Sequence, residues 1–173
     1  MYCGFAYKKA KSGDPDAFVA LIEQNKAAMY RTAKAILHND ADAADAMQDA
    51  ILSCWQNISK LRNDKYFKTW LTRILINCCK SIIRKNGNVV YVESYEPYDH
   101  GKDTSLSDRS VKESFEGLSE NYRLILTLYY IQGLSVKEIA KALDMNENTV
   151  KTRLSRGREQ FKSIYTSKEA FSL

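Results

Sequence analysis

Basic and small polar side chains are concentrated in one short segment near the C-terminus. Between Asn148 and Arg158 there is no acidic residue, whereas four positions carry lysine or arginine. A solvated surface helix usually mixes both signs of charge, so an unmixed run favours a surface that faces a polyanion. Lysine and arginine neutralise phosphates, and arginine, serine and threonine also reach base edges. The segment therefore predicts contacts with nucleic acid.

Apolar spacing places this segment on a helix. At 100° per residue, Val150, Leu154, Gly157 and Phe161 form a narrow stripe that predicts packing against other helices. Gly157 in the stripe permits close packing, although glycine costs roughly 1 kcal/mol in helix propensity. The outward side carries polar and basic residues: Lys151, Thr152, Ser155, Arg156 and Lys162.

A shorter helix precedes the basic helix after a tight turn. Ser135 followed by Glu138 is a capping-box pattern, and Asn146 can cap the next helix, which we expect to end near Lys162. Two helices joined in this way, the second with a basic outer face, match a helix-turn-helix, whose second helix enters the major groove.

A second basic surface is predicted on a helix over residues 67–85. One side carries Thr69, Arg73, Asn77, Lys80 and Arg84, spaced by four, four, three and four residues. The preceding segment KLRNDKYFKTW interleaves basic and aromatic residues, which suits single-stranded nucleic acid. A solvated amphipathic helix would explain the stripe equally well by itself.

A third helix has an acidic outer face. It begins near residues 40–42, and its acidic and amide side chains would repel phosphate, so this face meets either water or a basic protein surface. The face comprises Asp42, Asp45, Gln48, Asp49, Ser53 and Gln56. We expect the opposite side, with Ala44, Met47, Ile51, Trp55 and Ile58, to be buried.

The remaining pattern indicates an all-α chain in two parts. Asp14 and Pro15 can start a first helix, and Ser119 can start one that ends at Gly133. Between the parts, residues 86–110 lose helical periodicity and become acidic, which predicts a linker with a short extended piece at residues 89–92. A structureless loop of this length favours two domains.

Composition excludes several classes of protein. The 173 residues have 45% hydrophobic content and a net charge of +5. Cys54 and Cys78 fall in apolar stripes, which favours reduced thiols over disulfides. The sequence contains neither CxxC nor HxxxH spacing, so a zinc site is not expected. We expect no cofactor, no signal peptide and no membrane span, and thus a cytoplasmic protein.

Three stretches together resemble the extracytoplasmic-function (ECF) sigma factors of bacterial RNA polymerase, in the sigma-70 family. They are DADAADAMQDAILSCWQNI, FKTWLTRILINCCKSIIRK and GLSVKEIAKALDMNENTVKTRLSRGREQF. The resemblance implies two helical domains with a flexible acidic linker. Region 2 would span residues 1–85, the linker 86–112, region 4 113–166 and a tail 167–173. INCCKS and Asn148 depart from the usual family pattern.

The resemblance also implies partners and contact residues. This protein would bind core polymerase at the clamp helices and the flap, and promoter DNA at the −10 and −35 elements. An anti-sigma factor, which is membrane-anchored for many family members, would inhibit it. The implied polymerase-binding residues are Asp42, Asp45, Gln48, Asp49 and Gln56. Those for the −10 element are Arg62, Asn63, Tyr66, Lys68, Thr69, Arg73, Asn77, Lys80, Ser81 and Arg84. Those for the −35 element are Thr149, Lys151, Thr152, Arg153, Ser155, Arg156 and Arg158.

Two other functions compete with this interpretation. An ordinary regulator with a sensor or dimerisation domain would bind DNA by itself, usually as a symmetric dimer. A recombinase or nuclease would need catalytic carboxylates in a shaped pocket, whereas Asp42, Asp45 and Asp49 are regularly spaced along one exposed face. We therefore expect no catalysis and no small-molecule substrate.

Overall fold

The chain is described by a computed structural model that covers residues 3–86 and 109–170. The described residues form eight α-helices, two short 3-10 turns (Ile58–Lys60, Asp64–Tyr66) and a π-helical turn (Thr127–Ile131). The α-helices are α1 (Cys3–Lys11), α2 (Pro15–Leu37), α3 (Asp40–Asn57), α4 (Phe67–Lys85), α5 (Arg109–Glu116), α6 (Glu120–Leu126), α7 (Val136–Leu143) and α8 (Glu147–Ala170). The expectation of an all-α fold is confirmed.

Short polar side chains cap α2, α7 and α8 where the sequence predicts, whereas Ser119 precedes α6 without a side-chain capping hydrogen bond. Asp14 accepts hydrogen bonds from two backbone N–H groups of the first turn of α2, and Pro15 occupies the first helical position. Ser135 and Glu138 form the predicted capping box at α7. Asn146 accepts a hydrogen bond from the backbone N–H of Asn148 at 2.8 Å, at the start of α8. This last helix runs past the predicted end near Lys162 because Ile164 and Tyr165 remain partly buried.

The N-terminal domain, α1–α4, packs around a core in which small residues line α3. Ala43, Ala46, Ala50 and Cys54 are fully buried there, so α3 lies close to α2 and α4. The expected buried side of α3 was therefore partly wrong, since Trp55 remains 38% exposed. Small side chains add little to a hydrophobic pattern, yet they permit the closest helix approach.

The cysteines of this domain behave as small apolar residues. Cys54, Cys78 and Cys79 are free thiols, and burial raises the pKa of Cys54 to about 12. Burial is also the main reason that the pKa of Cys79 is raised. Both thiols thus stay protonated near neutral pH, as expected of buried cysteines that are not reactive.

The C-terminal domain, α5–α8, is built around the stripe predicted for α8. Val150, Leu154 and Gly157 are buried. A Cβ atom at Gly157 would lie 3.2 Å from the Cβ of Tyr122, so the absence of a side chain lets α8 approach α6 closely. The predicted role of this glycine is confirmed.

Two helices were not predicted. Helix α1 lacks a clear apolar periodicity, and α5 begins at Arg109, inside the segment predicted as linker. The extended piece predicted at residues 89–92 lies outside the described residues. No helix in the described part of the chain is long and apolar enough to cross a bilayer.

Candidate nucleic-acid interface

The outward face of α8 presents polar side chains to solvent. Lys151, Thr152, Ser155 and Arg156 are all exposed, while Val150 and Leu154 on the opposite side are buried. The Thr152 hydroxyl donates to the Asn148 carbonyl at 2.9 Å, which fixes its rotamer without covering it. Thr149 is also exposed, at the start of the same face. This face has the shape and charge needed to enter a major groove.

Two arginines of α8 are held against protein. Arg153 is half-buried, and its guanidinium lies 3.4 Å from Asn121 Oδ1 and 3.6 Å from Met145 Sδ. Arg158 is exposed, donates from Nε to the Tyr130 hydroxyl at 2.8 Å, and stacks over that ring at 5.6 Å. Their contact with phosphate stays a prediction, and it would involve side chains that already have protein partners.

The second basic surface lies along α4. Arg73, Asn77, Lys80 and Arg84 are exposed, and Ser81 is half-buried. Thr69, at the start of the stripe, is instead 7% exposed, because α7 of the other domain covers it. Four of the five stripe residues are therefore open to solvent.

Glu138 joins the two domains at Thr69. Its carboxylate accepts a hydrogen bond from the Thr69 hydroxyl at 3.0 Å while also closing the capping box with Ser135. Burial raises the pKa of Glu138, but the hydrogen bonds from Ser135 and Thr69 outweigh this effect, so the pKa is lowered. The ionised carboxylate is thus the form that binds across the domains.

The segment before α4 forms an exposed loop, residues 61–66. Arg62 and Asn63 are exposed, and Asn63 caps the turn Asp64–Tyr66 by accepting from the backbone N–H of Lys65 at 3.0 Å. Tyr66, one of the residues implied for the −10 element, is 51% exposed. The ammonium of Lys141, on α7, nevertheless sits 5.6 Å from the Tyr66 ring centroid.

The two domains pack directly against each other. Ile76 of α4 is 1% exposed and belongs to the hydrophobic core of the C-terminal domain. Gln132 is buried and donates to the Thr32 hydroxyl at 2.8 Å, across 100 residues of chain. His38 Nε2 lies 3.1 Å from a Glu120 carboxylate oxygen. We call this packing the closed arrangement; in it, DNA has no access to Thr69 and only partial access to Tyr66.

The outer face of α3 combines acidic and apolar groups. Asp45, Gln48, Asp49 and Gln56 are exposed, whereas Asp42 is half-buried and accepts a 2.8 Å hydrogen bond from the Asn39 side chain. Leu52, 56% exposed, lies among these residues. It borders an apolar groove between α2 and α3, which is also lined by Phe18, Val19, Met47, Ile51 and Trp55.

Comparison with known proteins relates these surfaces to one family. The Sigma-70 region 2 model matches residues 21–89, and the Sigma-70 region 4 model matches residues 108–161. The RNA polymerase sigma factor SigV of Bacillus subtilis (strain 168) is 30% identical over 150 residues, which are 86% of this chain and 90% of SigV. The ECF RNA polymerase sigma factor SigW of the same strain is 30% identical over 169 residues, or 88% of this chain and 90% of SigW. This chain belongs to the ECF sigma factors of the sigma-70 family.

Solved structures support the same fold for this sigma factor. The sigma factor RpoE of Bartonella quintana, in complex with the anti-sigma factor NepR, superposes with a TM-score of 0.73 at 24% identity. The superposition covers 86% of this chain and 96% of RpoE. The predicted two-domain helical architecture is thereby confirmed.

The structure adds surface residues of the sigma factor that the sequence analysis missed. Leu52 lies three residues after Asp49 and seven after Asp45, so a helical wheel of the acidic face would have included it. Trp55 and Val19 required the structure, because only the packing of α2 on α3 shows which apolar residues stay exposed.

Proposed function

We propose that this sigma factor binds core RNA polymerase through α3 and directs initiation by reading the −10 element with α4 and the −35 element with α8. The observation that supports this most strongly is the exposure of a basic face in each of the two family regions. Polymerase supplies the catalysis, and the sigma factor supplies the choice of promoter.

The −35 element would be read as duplex by α8. Lys151, Thr152, Ser155 and Arg156 form a contiguous exposed face, and each good bidentate contact with a base contributes about 1–3 kcal/mol of discrimination. Arg158, already ordered by Tyr130, would approach a backbone phosphate at little additional entropic cost.

The −10 element would be captured as single strand. Asn77, Lys80 and Arg84 would follow the DNA along α4, and residues 61–66 would hold a flipped base, with Tyr66 as a stacking surface. Binding the separated strand better than the duplex would favour the melted state. Because α7 covers Thr69 and approaches Tyr66, this contact requires the domains to separate when polymerase binds.

Polymerase would dock on the acidic face of α3 and on the neighbouring groove. Carboxylates around an exposed leucine complement a basic helical surface that carries apolar side chains, as the clamp helices would offer. Because the Bartonella quintana relative is bound by an anti-sigma factor, we also infer an inhibitory partner of this kind for this chain, in the cytoplasm or at the membrane.

Reconstitution with core polymerase tests the proposal. With a promoter library, the wild-type protein should direct runoff transcripts that depend on both elements. Arg156→Ala should reduce use of the preferred −35 sequence by about 5- to 150-fold, as expected for the loss of one base contact, and leave polymerase pull-down unchanged. Lys112→Ala, an exposed lysine of α5 that belongs to none of the proposed contact sets, is the matched control. Equal loss of pull-down and transcription in Arg156→Ala would contradict the assignment.

A further inference from the structure

Helix α1 contacts the loop that precedes α4. This helix lies outside the residues matched by either family model. It packs on α2, on the 3-10 turn Ile58–Lys60 just before residues 61–66, and on the 3-10 turn Asp64–Tyr66 within them. Tyr7, at its centre, is 4% exposed and belongs to the core of the N-terminal domain.

Two side chains of α1 bind the same carbonyl group. The Tyr7 hydroxyl donates to the Leu61 carbonyl oxygen, and the Lys11 ammonium donates to that oxygen at 2.9 Å. Both lone pairs of the carbonyl are thereby used. The Leu61 N–H in turn donates to the Ile58 carbonyl at 3.2 Å, so the first residue of the loop is held on both sides.

The same tyrosine also contacts the other end of the loop. Its ring meets the Phe67 ring edge-on, with centroids 6.1 Å apart and planes at 60°. Burial, and secondarily the Asp64 carboxylate, raise the pKa of Tyr7, so its hydroxyl keeps the proton that it donates. Lys11 makes a charge-assisted bond, which is stronger than a neutral one.

We propose that α1 braces residues 61–66, and that Tyr7 and Lys11 are positioning residues that set base discrimination by this loop. The inference rests on the proposed role of the loop in holding a −10 base. A loop of six residues loses less entropy on binding, and aims its polar groups more accurately, when its conformation is fixed beforehand. The simpler alternative is that α1 only completes the hydrophobic core.

Conservative variants separate these two explanations. Tyr7→Phe keeps the ring in the core and removes only the hydroxyl donor. Lys11→Met removes the ammonium with little change in length, whereas Lys11→Arg retains a cationic donor. Lys8→Met, at an exposed position of the same helix, is the matched control.

The test uses the full chain with core polymerase and a promoter library randomised over both elements. The base read by the loop is identified as the −10 position whose preference is lost in Asn63→Ala. There, Tyr7→Phe and Lys11→Met should each lower discrimination about five-fold, the factor that one hydrogen bond of typical net strength controls. Preferences at the −35 element should not change, and Lys11→Arg and Lys8→Met should behave as wild type.

Three results would overturn the brace. One is that Tyr7→Phe and Lys11→Met discriminate between bases at the −10 position as well as Lys8→Met does. Another is equal loss of −10 and −35 preference, which indicates general destabilisation. The third is unchanged hydrogen exchange at residues 61–66 of free Tyr7→Phe, where faster exchange is expected. The hydrogen-exchange measurement needs no polymerase, so it tests the brace even if the wild-type protein directs no transcripts. A lack of transcripts would count against the proposed function, not against the brace.

Discussion

Gln132 offers a direct way to perturb the closed arrangement. It follows the π-helical turn Thr127–Ile131, and its N–H donates to the Thr127 carbonyl five residues back at 3.0 Å. Its side chain is 2% exposed and donates to the Thr32 hydroxyl at 2.8 Å and to the Ala28 carbonyl at 3.2 Å. The proposed change is Gln132→Met, which keeps an unbranched side chain of similar size and removes both bonds.

The expected size of the effect follows from these contacts. A neutral hydrogen bond contributes about 1 kcal/mol net, so two contribute about 2 kcal/mol to the closed arrangement. The Thr32 hydroxyl still donates to Ala28 at 2.9 Å in the variant, so neither group loses every partner and no further penalty is added. A change of about 2 kcal/mol shifts the balance between closed and separated domains by roughly 30-fold.

Binding of a single-stranded −10 oligonucleotide reports this shift. The free protein binds weakly when the closed arrangement dominates, because Thr69 and Tyr66 are covered or partly covered by α7. Fluorescence anisotropy should therefore show affinity for Gln132→Met higher than wild type by up to about 30-fold. Thr32→Val should act in the same direction, and the double variant should add less than the sum of the two.

The matched control is Gln24→Met, an exposed glutamine on α2. Its oligonucleotide affinity should equal that of wild type. If Gln132→Met kept its helical content by circular dichroism and still bound within two-fold of wild type, the closed arrangement would not limit access to the −10 surface. That result would refute the reasoning.

Three further predictions concern polymerase binding, packing and pH. Leu52→Glu should weaken capture of core polymerase at least ten-fold. Val19→Glu, on the other side of the groove, should show whether the groove itself contributes to this capture. If Leu52→Glu captured polymerase as well as wild type, the proposed docking surface would be contradicted. Gly157→Val should lower the free energy of unfolding by about 1–3 kcal/mol in urea titrations, since its side chain has no room beside α6; an unchanged midpoint would argue against this packing. Because the pKa of Glu138 is lowered in the fold, its stabilisation is present above its unfolded pKa and is lost as pH falls through the folded value. Oligonucleotide affinity should therefore rise more on acidification in wild type than in Glu138→Gln, in which the contact between His38 and Glu120 remains. Parallel curves would exclude this carboxylate.

The polar faces of α4 and α8 were predictable because a helix converts spacing into direction. Val150 and Leu154 are buried and Lys151 and Arg156 are exposed, as a helical wheel of the sequence requires. Capping followed the same local logic, since Ser135 and Glu138 interact within one turn. These features depend on residues no more than a few positions apart.

The exposed leucine and the groove on α3 were less predictable. The sequence analysis assigned Trp55 to the buried side, whereas the buried side consists of alanines and Cys54. A hydrophobic pattern weighs large side chains, but close helix packing selects small ones. The charge pattern therefore identified the acidic part of the docking surface, and the structure added the exposed leucine and the groove.

By itself, the sequence determined most of the helices, the caps of α2, α7 and α8, most of the two basic faces, and the family. Only the tertiary structure decided that α7 covers Thr69, that Gln132 reaches Thr32, and that α1 holds Leu61. The reason is physical: helical direction is set by neighbours along the chain, whereas contacts between residues 50 to 100 positions apart depend on how whole helices pack.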